Sequence, residues 1–340
     1  MRNPPMSNLN LTIEKLENDP EFMSCVTHWE RVTPRDGIFS EFPEDLDPRL
    51  KDILANRGTT RLYSHQAEAY RAVRDGRDAV VVTPTASGKT LCYNLPVLQD
   101  LLQNADHRAL YLFPTKALSQ DQQSELNEVV LGGEVPVKVF TYDGDTPSSI
   151  RVAARDAGRV VITNPDMLHT GILPNHPKWI KFLSSLKYVV IDEIHIYRGV
   201  FGSHMTNLIR RLKRVARFYG SEPQFICSSA TIGNPLELTE KILERSPLLI
   251  GKNGAPGGEK HLIFYNPPLV DRVQGIRRGV VHESRRLAGR MLTAGIKTIV
   301  FARSRVRTEL IASYINKDLR NIYTDNNRIR VEAYRGGYLP

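Results

Sequence analysis

This sequence predicts an α/β fold, a mostly parallel sheet covered by helices on both faces. Three observations carry the prediction. Short, apolar runs recur at 79–82, 108–113, 137–141, 160–163, 188–191 and 224–227. Stretches of helical periodicity separate them, as expected of parallel strands joined by crossovers and buried on both sides. The residues suited to chemistry fall just after the apolar runs. In such sheets function collects at the carboxyl ends of the strands.

A length of 340 residues suggests two domains, and 41% hydrophobic with 24% charged residues is enough apolar material for a core. A net charge of +9 favours a polyanionic partner. Cys25, Cys92 and Cys227 lie far apart with no paired spacing, so they read as small buried residues of a reducing compartment. No run has membrane-spanning length, and the first residues lack the apolar core of a secretory leader. A cytoplasmic protein is expected.

Residues 1–60 read as an N-terminal helical extension. Leu9, Leu11, Ile13 and Leu16 mark a helix stopping before Asp19-Pro20. Leu46, Leu50, Ile53 and Leu54 mark another, ended near Gly58, with Pro34, Pro43 and Pro48 in loops. The extension is expected to pack on the domain that follows, 61–250. That domain opens with a helix capped by Ser64 and closed by Gly76. Gln66 lies on it, and its amide has the donor and acceptor to read adenine, or simply faces solvent. After the strand 79–82, helices are expected from Leu91, at 118–130, at 148–156 and at 205–219 between the remaining strands. The glycine-rich stretch 251–258 lies in a linker, 251–260. A second α/β unit, 261–340, follows with strands at 261–265, 298–301 and 329–333 and helices at 284–292 and 308–315. It has too few strands for a complete domain.

The chain is organised around Thr83-Pro-Thr85-Ala86-Ser87-Gly88-Lys89-Thr90. It sits between a strand and a helix, the setting of a phosphate-binding loop. Its backbone N–H groups and the helix dipole suit phosphate oxygens. Lys89 would reach the β- and γ-phosphates, and Thr90 would ligate Mg²⁺. Thr83 stands where the usual first glycine would be. Asp192-Glu193-Ile194-His195 follows the run 188–191. Asp192 suits a hydrated Mg²⁺, and Glu193 suits the orientation or deprotonation of water. Ser229-Ala230-Thr231 follows another run, placed either to cap a helix or to sense the acids. Thr115 and Lys116, and Asn164, stand where strands give way to helices and can take nucleic-acid phosphates or act as caps. Arg303 ends a run in the second unit. The basic series Arg210, Arg211, Lys213, Arg214 and Arg217 reads as the solvated face of a helix.

Taken in order, these motifs resemble helicase superfamily 2, from Gln66 to Ile299-Val-Phe-Ala-Arg303. Within it, Thr163-Asn-Pro-Asp-Met-Leu-His169, Tyr197-Arg-Gly-Val-Phe-Gly-Ser-His204 and Tyr334-Arg-Gly-Gly-Tyr-Leu-Pro340 look like bacterial DNA repair helicases of the MrfA type (YprA-like). The resemblance implies two RecA-like domains, the second only in part, with ATP in the cleft and single-stranded or partly duplex DNA crossing both. It implies 3′-to-5′ movement. By motif match Gln66 contacts adenine; Thr83, Thr85, Ala86, Ser87, Gly88, Lys89 and Thr90 hold phosphates; Asp192 and Glu193 handle metal and water. His195, Ser229 and Thr231 couple nucleotide to DNA, and Thr115, Lys116, Asn164 and Arg303 lie near its backbone. The family's later motifs and its zinc-binding C-terminal part are absent from these residues, so weak turnover is expected of this chain alone. An RNA motor, a small-molecule P-loop kinase and a non-catalytic ATP-gated clamp remain as alternatives.

Overall fold

A computed structural model describes residues 8–132, 135–322 and 330–334. The chain forms two units: Pro34–Gly258, and a second made of the segments up to Thr33 and from Glu259 onward.

The larger unit is built on a seven-stranded parallel sheet. Its strands are β1 (Ala79–Val82), β2 (Arg108–Leu112), β3 (Val139–Thr141), β4 (Val160–Thr163), β5 (Leu186–Ile191), β6 (Gln224–Ser229) and β7 (Leu248–Ile250). Their spatial order is β7-β1-β6-β5-β2-β4-β3. Alternate side chains enter two separate cores, as the period-2 pleat requires. Ala79, Val81, Ala109, Tyr111, Tyr188 and Val190 join the core under the helices Ser64–Arg74 and Lys89–Gln103. Val80, Val82, Leu110, Leu112, Val189 and Ile191 join the core under Gly199–Phe218 and Pro235–Leu243. The apolar runs are thus continuous because both faces are covered.

The sequence pattern predicts six of these strands; the edge strand Leu248–Ile250 is the seventh. The helix expected at 205–219 begins earlier, at Gly199, whose φ of 56° turns the chain into it.

The expected N-terminal extension is not one element. Residues from Pro34 belong to the sheet-bearing unit, where Leu46, Leu50, Ile53 and Leu54 enter its core. The helix Asn8–Glu17 and the strand Val26–Val32 belong instead to the smaller unit. Val26–Val32 pairs antiparallel with Lys260–Tyr265, over two hundred residues later. Phe22 stacks on Tyr265 at 5.3 Å, Trp29 Nε1 donates to His261 Nδ1 at 2.9 Å, and Arg290 pairs with Asp19 at 2.8 Å. Buried Glu283 accepts from Arg278, Arg286 and the Tyr265 hydroxyl, and these bonds hold its carboxyl below the usual range against the opposing effect of burial. The helices Val280–Thr293 and Arg305–Ile322 share a small core of Ala288, Ile311, Ile315 and Leu319. The strand expected at 298–301 carries no ladder pairing, nor do residues 330–333 of the one expected at 329–333; position 329 lies outside the described residues. Short extended segments without a hydrogen-bonded neighbour on a shared sheet do not register as strands.

Candidate functional site

The loop after β1 folds by two left-handed residues, Ala86 (φ 61°) and Gly88 (φ 76°). Alternation of handedness turns successive N–H groups toward one side, making an anion-binding concavity. Thr83 is fully buried and needs no positive φ; its hydroxyl shares a 2.6 Å hydrogen bond with Ser87 Oγ. That bond closes the loop across four residues. Lys89 begins the following helix and donates to Thr83 O at 2.8 Å and Pro84 O at 3.1 Å. Thr90 follows on the helix's first turn, beside the positive end of the dipole.

Gln66 is 5% exposed and is committed to the loop's support: its Oε1 accepts from Tyr63 N–H at 2.9 Å and its Nε2 donates to Gly88 O at 3.0 Å. One N–H and one lone pair of the amide remain beyond these bonds. A Cβ on residue 88 would lie 2.6 Å from Gln66 Nε2 and would require left-handed backbone, so glycine is demanded there twice over.

In the sheet, β6 separates β1 from β5, with Val82 opposite Ser229 and Cys227 opposite Ile191. Two strand spacings put the Lys89 loop and the acidic turn about 10 Å apart at one edge. Asp192 Oδ1 accepts from Glu193 N–H at 2.9 Å and from the Ser228 hydroxyl. Both bonds fall on Oδ1, which leaves Oδ2 for a cation. The hydroxyl partner of Asp192 is therefore Ser228, one residue before the Ser229-Ala230-Thr231 segment. Glu193 has left-handed φ (52°). Burial first, and Asp192 second, push its carboxyl above the usual range, while His195 and Lys89 oppose them. Its Oε2 is buried without a hydrogen-bond donor. His195 Nδ1 lies 3.1 Å from that oxygen but accepts from Ala230 N–H at 3.2 Å. The imidazole therefore stands between the acid and the turn after β6. Ser229 Oγ donates to Ala230 O at 2.7 Å, within that turn.

Further along the same edge, β2 and β4 end at helix starts. Asn164 Oδ1 caps the next turn by accepting from Met167 N–H at 2.8 Å, and Thr115 Oγ1 accepts from Leu118 N–H at 3.4 Å. Lys116 is paired with Asp145 at 2.7 Å. Arg303 lies in the smaller unit and is exposed.

The basic helix is not uniformly a solvated face. Arg210 pairs with Glu244 at 2.6 Å, Lys213 donates to Leu243 O at 2.5 Å, and Arg217 approaches Glu222 at 3.9 Å. Arg211 and Arg214 line a groove of about 540 Å³ with His169, Phe201, His204 and Asp166. Sequence reading missed this groove, Ser228 and His65. The nearest signal was the helical spacing of residues 204, 207, 211 and 214.

Residues 63–239 match the family model described as DEAD/DEAH box helicase. The chain is 52% identical over 97% of its length to the ATP-dependent helicase YprA of Bacillus subtilis, covering 44% of that protein. It is 37% identical over 96% of its length to the ATP-dependent helicase HRQ1 of Saccharomyces cerevisiae, covering 30% of it. The crystal structure of the DUF1998 helicase MrfA bound to DNA and AMPPNP superposes with a TM-score of 0.88 at 52% identity, over 93% of this chain and 43% of that one. The chain thus spans less than half the length of these relatives.

Proposed function

Because this chain belongs to the DEAD/DEAH box helicase family, we propose that its larger unit binds magnesium-ATP at the Lys89 loop and is the ATP-consuming half of a DNA helicase. The observation that carries the reading is the shared edge: the lysine-bearing loop and the Asp192-Glu193 turn flank a single strand, β6. The donor set fits the group. The concave loop and Lys89 suit a polyphosphate; the Thr90 hydroxyl and Asp192 Oδ2 suit a hard cation that keeps most of its water. Bound there, the cation supplies charge neutralisation of the phosphate oxygens.

The chain's own residues do the rest. Lys89 exchanges its two loop carbonyls for phosphate oxygens. Gln66 holds Gly88 in place and turns its remaining amide hydrogen and lone pair toward the base. Glu193, with a raised affinity for protons and a buried oxygen lacking a donor, accepts a hydrogen from the attacking water at Oε2. His195 relays the state of that oxygen to the turn that holds Ser229 and Thr231.

DNA is the proposed partner because MrfA and Hel308 are described as DNA-bound or DNA-acting. Its backbone would cross the starts of the helices after Thr115 and Asn164, with Arg303 adding a contact from the smaller unit. The groove of Phe201, Arg211 and Arg214 would extend that path, an aromatic face for a base beside two cations. We assign a cytoplasmic setting, supported by the absence of any membrane-length apolar helix among the described residues.

The test is equilibrium binding of a fluorescent ATP analogue, with and without Mg²⁺ and with single-stranded DNA or RNA of one sequence. Magnesium-dependent binding, strengthened more by DNA, is expected, with Lys89→Ala weakening it at least about tenfold, as loss of a charged hydrogen bond implies. Binding unaffected by Lys89→Ala would overturn the proposal; preference for RNA would redirect it to the RNA motor.

A further inference from the structure

The chain passes between its two units twice, at Thr33–Pro34 and at Gly258–Glu259. On the larger unit's side these two passages are bonded to each other. Arg35 and Gly257 exchange both backbone hydrogen bonds at 2.8 Å. Ile38 N–H donates to Gly254 O at 2.8 Å, and the Arg35 guanidinium donates to Ala255 O at 2.9 Å.

His65 connects this paired ribbon to the phosphate loop. The imidazole is fully buried and uses both nitrogens. Nδ1 accepts from Gly254 N–H at 3.2 Å, and Nε2 lies 3.0 Å from Ser87 O. With Nδ1 accepting, the ring proton sits on Nε2 and is donated to the Ser87 carbonyl, so the two partners fix the tautomer. Burial lowers the proton affinity of the ring and keeps it neutral. Tyr63 stacks on it at 5.8 Å with planes 12° apart. Gly254 has no room to shift sideways: a Cβ there would meet Ser64 Oγ at 2.2 Å and Ser64 N at 2.8 Å. Ser64 N–H in turn donates to Ile38 O at 2.8 Å, on the other passage.

We infer that His65 is a positioning residue that couples the phosphate loop to the paired passages joining the two units. A shift of Ser87 as the loop closes on phosphate moves the ring, and the ring moves Gly254. Close packing on every side leaves little slack to absorb that motion locally. The inference rests on the nucleotide reading above, and goes beyond it by naming the route from loop to ribbon.

The test is amide hydrogen exchange on the 340-residue chain with and without magnesium-AMP-PNP, comparing peptides spanning 83–90 and 251–258. In the unaltered chain both are expected to slow, the second by about fivefold, the worth of one ordinary hydrogen bond. His65→Gln keeps reach toward Ser87 and removes the acceptor for Gly254. His65→Asn keeps an acceptor near Gly254 and loses reach toward Ser87. In each, 83–90 is expected to respond to nucleotide while 251–258 does not, a split that simple loss of stability would not produce. Thermal melting establishes that each variant is folded. A ribbon that ignores nucleotide in the unaltered chain overturns the inference, as does one that still responds in the variants. Loss of protection at 83–90 in the unaltered chain overturns the nucleotide reading itself, which separates the two failures.

Discussion

At the scale of single residues, the site stores backbone strain where chemistry is proposed. Of the three non-glycine residues with left-handed φ among those described, Ala86 sits in the phosphate loop and Glu193 in the acidic turn. Such residues cost of order 1 kcal/mol each and persist where the surroundings dictate them. Glu193 adds an electrostatic cost. Its folded-state pKa lies above its unfolded value, chiefly through burial. The folded chain therefore binds that proton more tightly, so stability is lost as pH rises from the unfolded pKa through the raised one. Glu193→Gln removes the loss: its thermal midpoint should exceed that of the unaltered chain at about pH 7.5, with the gap narrowing toward about pH 4. A gap independent of pH would contradict this. Lys89, Asp192 and Glu193 were legible because their order and strand context form a pattern. Thr83 was legible only as a departure, since nothing in sequence reveals a hydroxyl pair closing the loop. His65 was invisible, because its partner Gly254 lies 189 positions away.

At the scale of elements, the sheet divides its carboxyl edge. The ends of β1, β6 and β5 carry the loop, the Ser-Ala-Thr turn and the acids, and the neighbouring ends of β2 and β4 open helices. The strands were readable because burial on both faces writes an unbroken apolar run. Leu248–Ile250 was not, being three residues long and defined by pairing with β1. The basic helix shows the limit of charge counting. A run of cations in sequence becomes, at helical spacing, one set tied to carboxylate and carbonyl partners and another facing a groove. Replacing Arg211 and Arg214 together by Ala should weaken single-stranded DNA binding and lower its salt slope by about 2. Arg210→Ala should leave the slope nearly unchanged, because that guanidinium is occupied by Glu244. Equal effects in a salt titration would remove the groove from the proposed path.

At the scale of the whole molecule, the smaller unit is assembled from both ends of the described chain. Its ladder joins residues more than two hundred positions apart, with Val26 opposite Tyr265 and Val32 opposite Lys260. Period and composition cannot specify so distant a partner, so the sequence pattern assigned the first sixty residues to one extension. Removing residues 1–33 should speed proteolysis within 259–322 while leaving the larger unit's melting transition in place, because Phe22, Trp29 and Asp19 are lost only to the smaller unit. Unchanged cleavage would contradict the assignment. The proposed function depends on Lys89 and Asp192 serving one bound group from opposite sides of β6. A double-mutant cycle on magnesium-nucleotide affinity measures this, using Lys89→Ala, Asp192→Asn and the pair. A shared ligand predicts non-additive losses, with a coupling of about 0.5–3 kcal/mol. Strict additivity would mean that the two residues act at separate places, and would contradict the account.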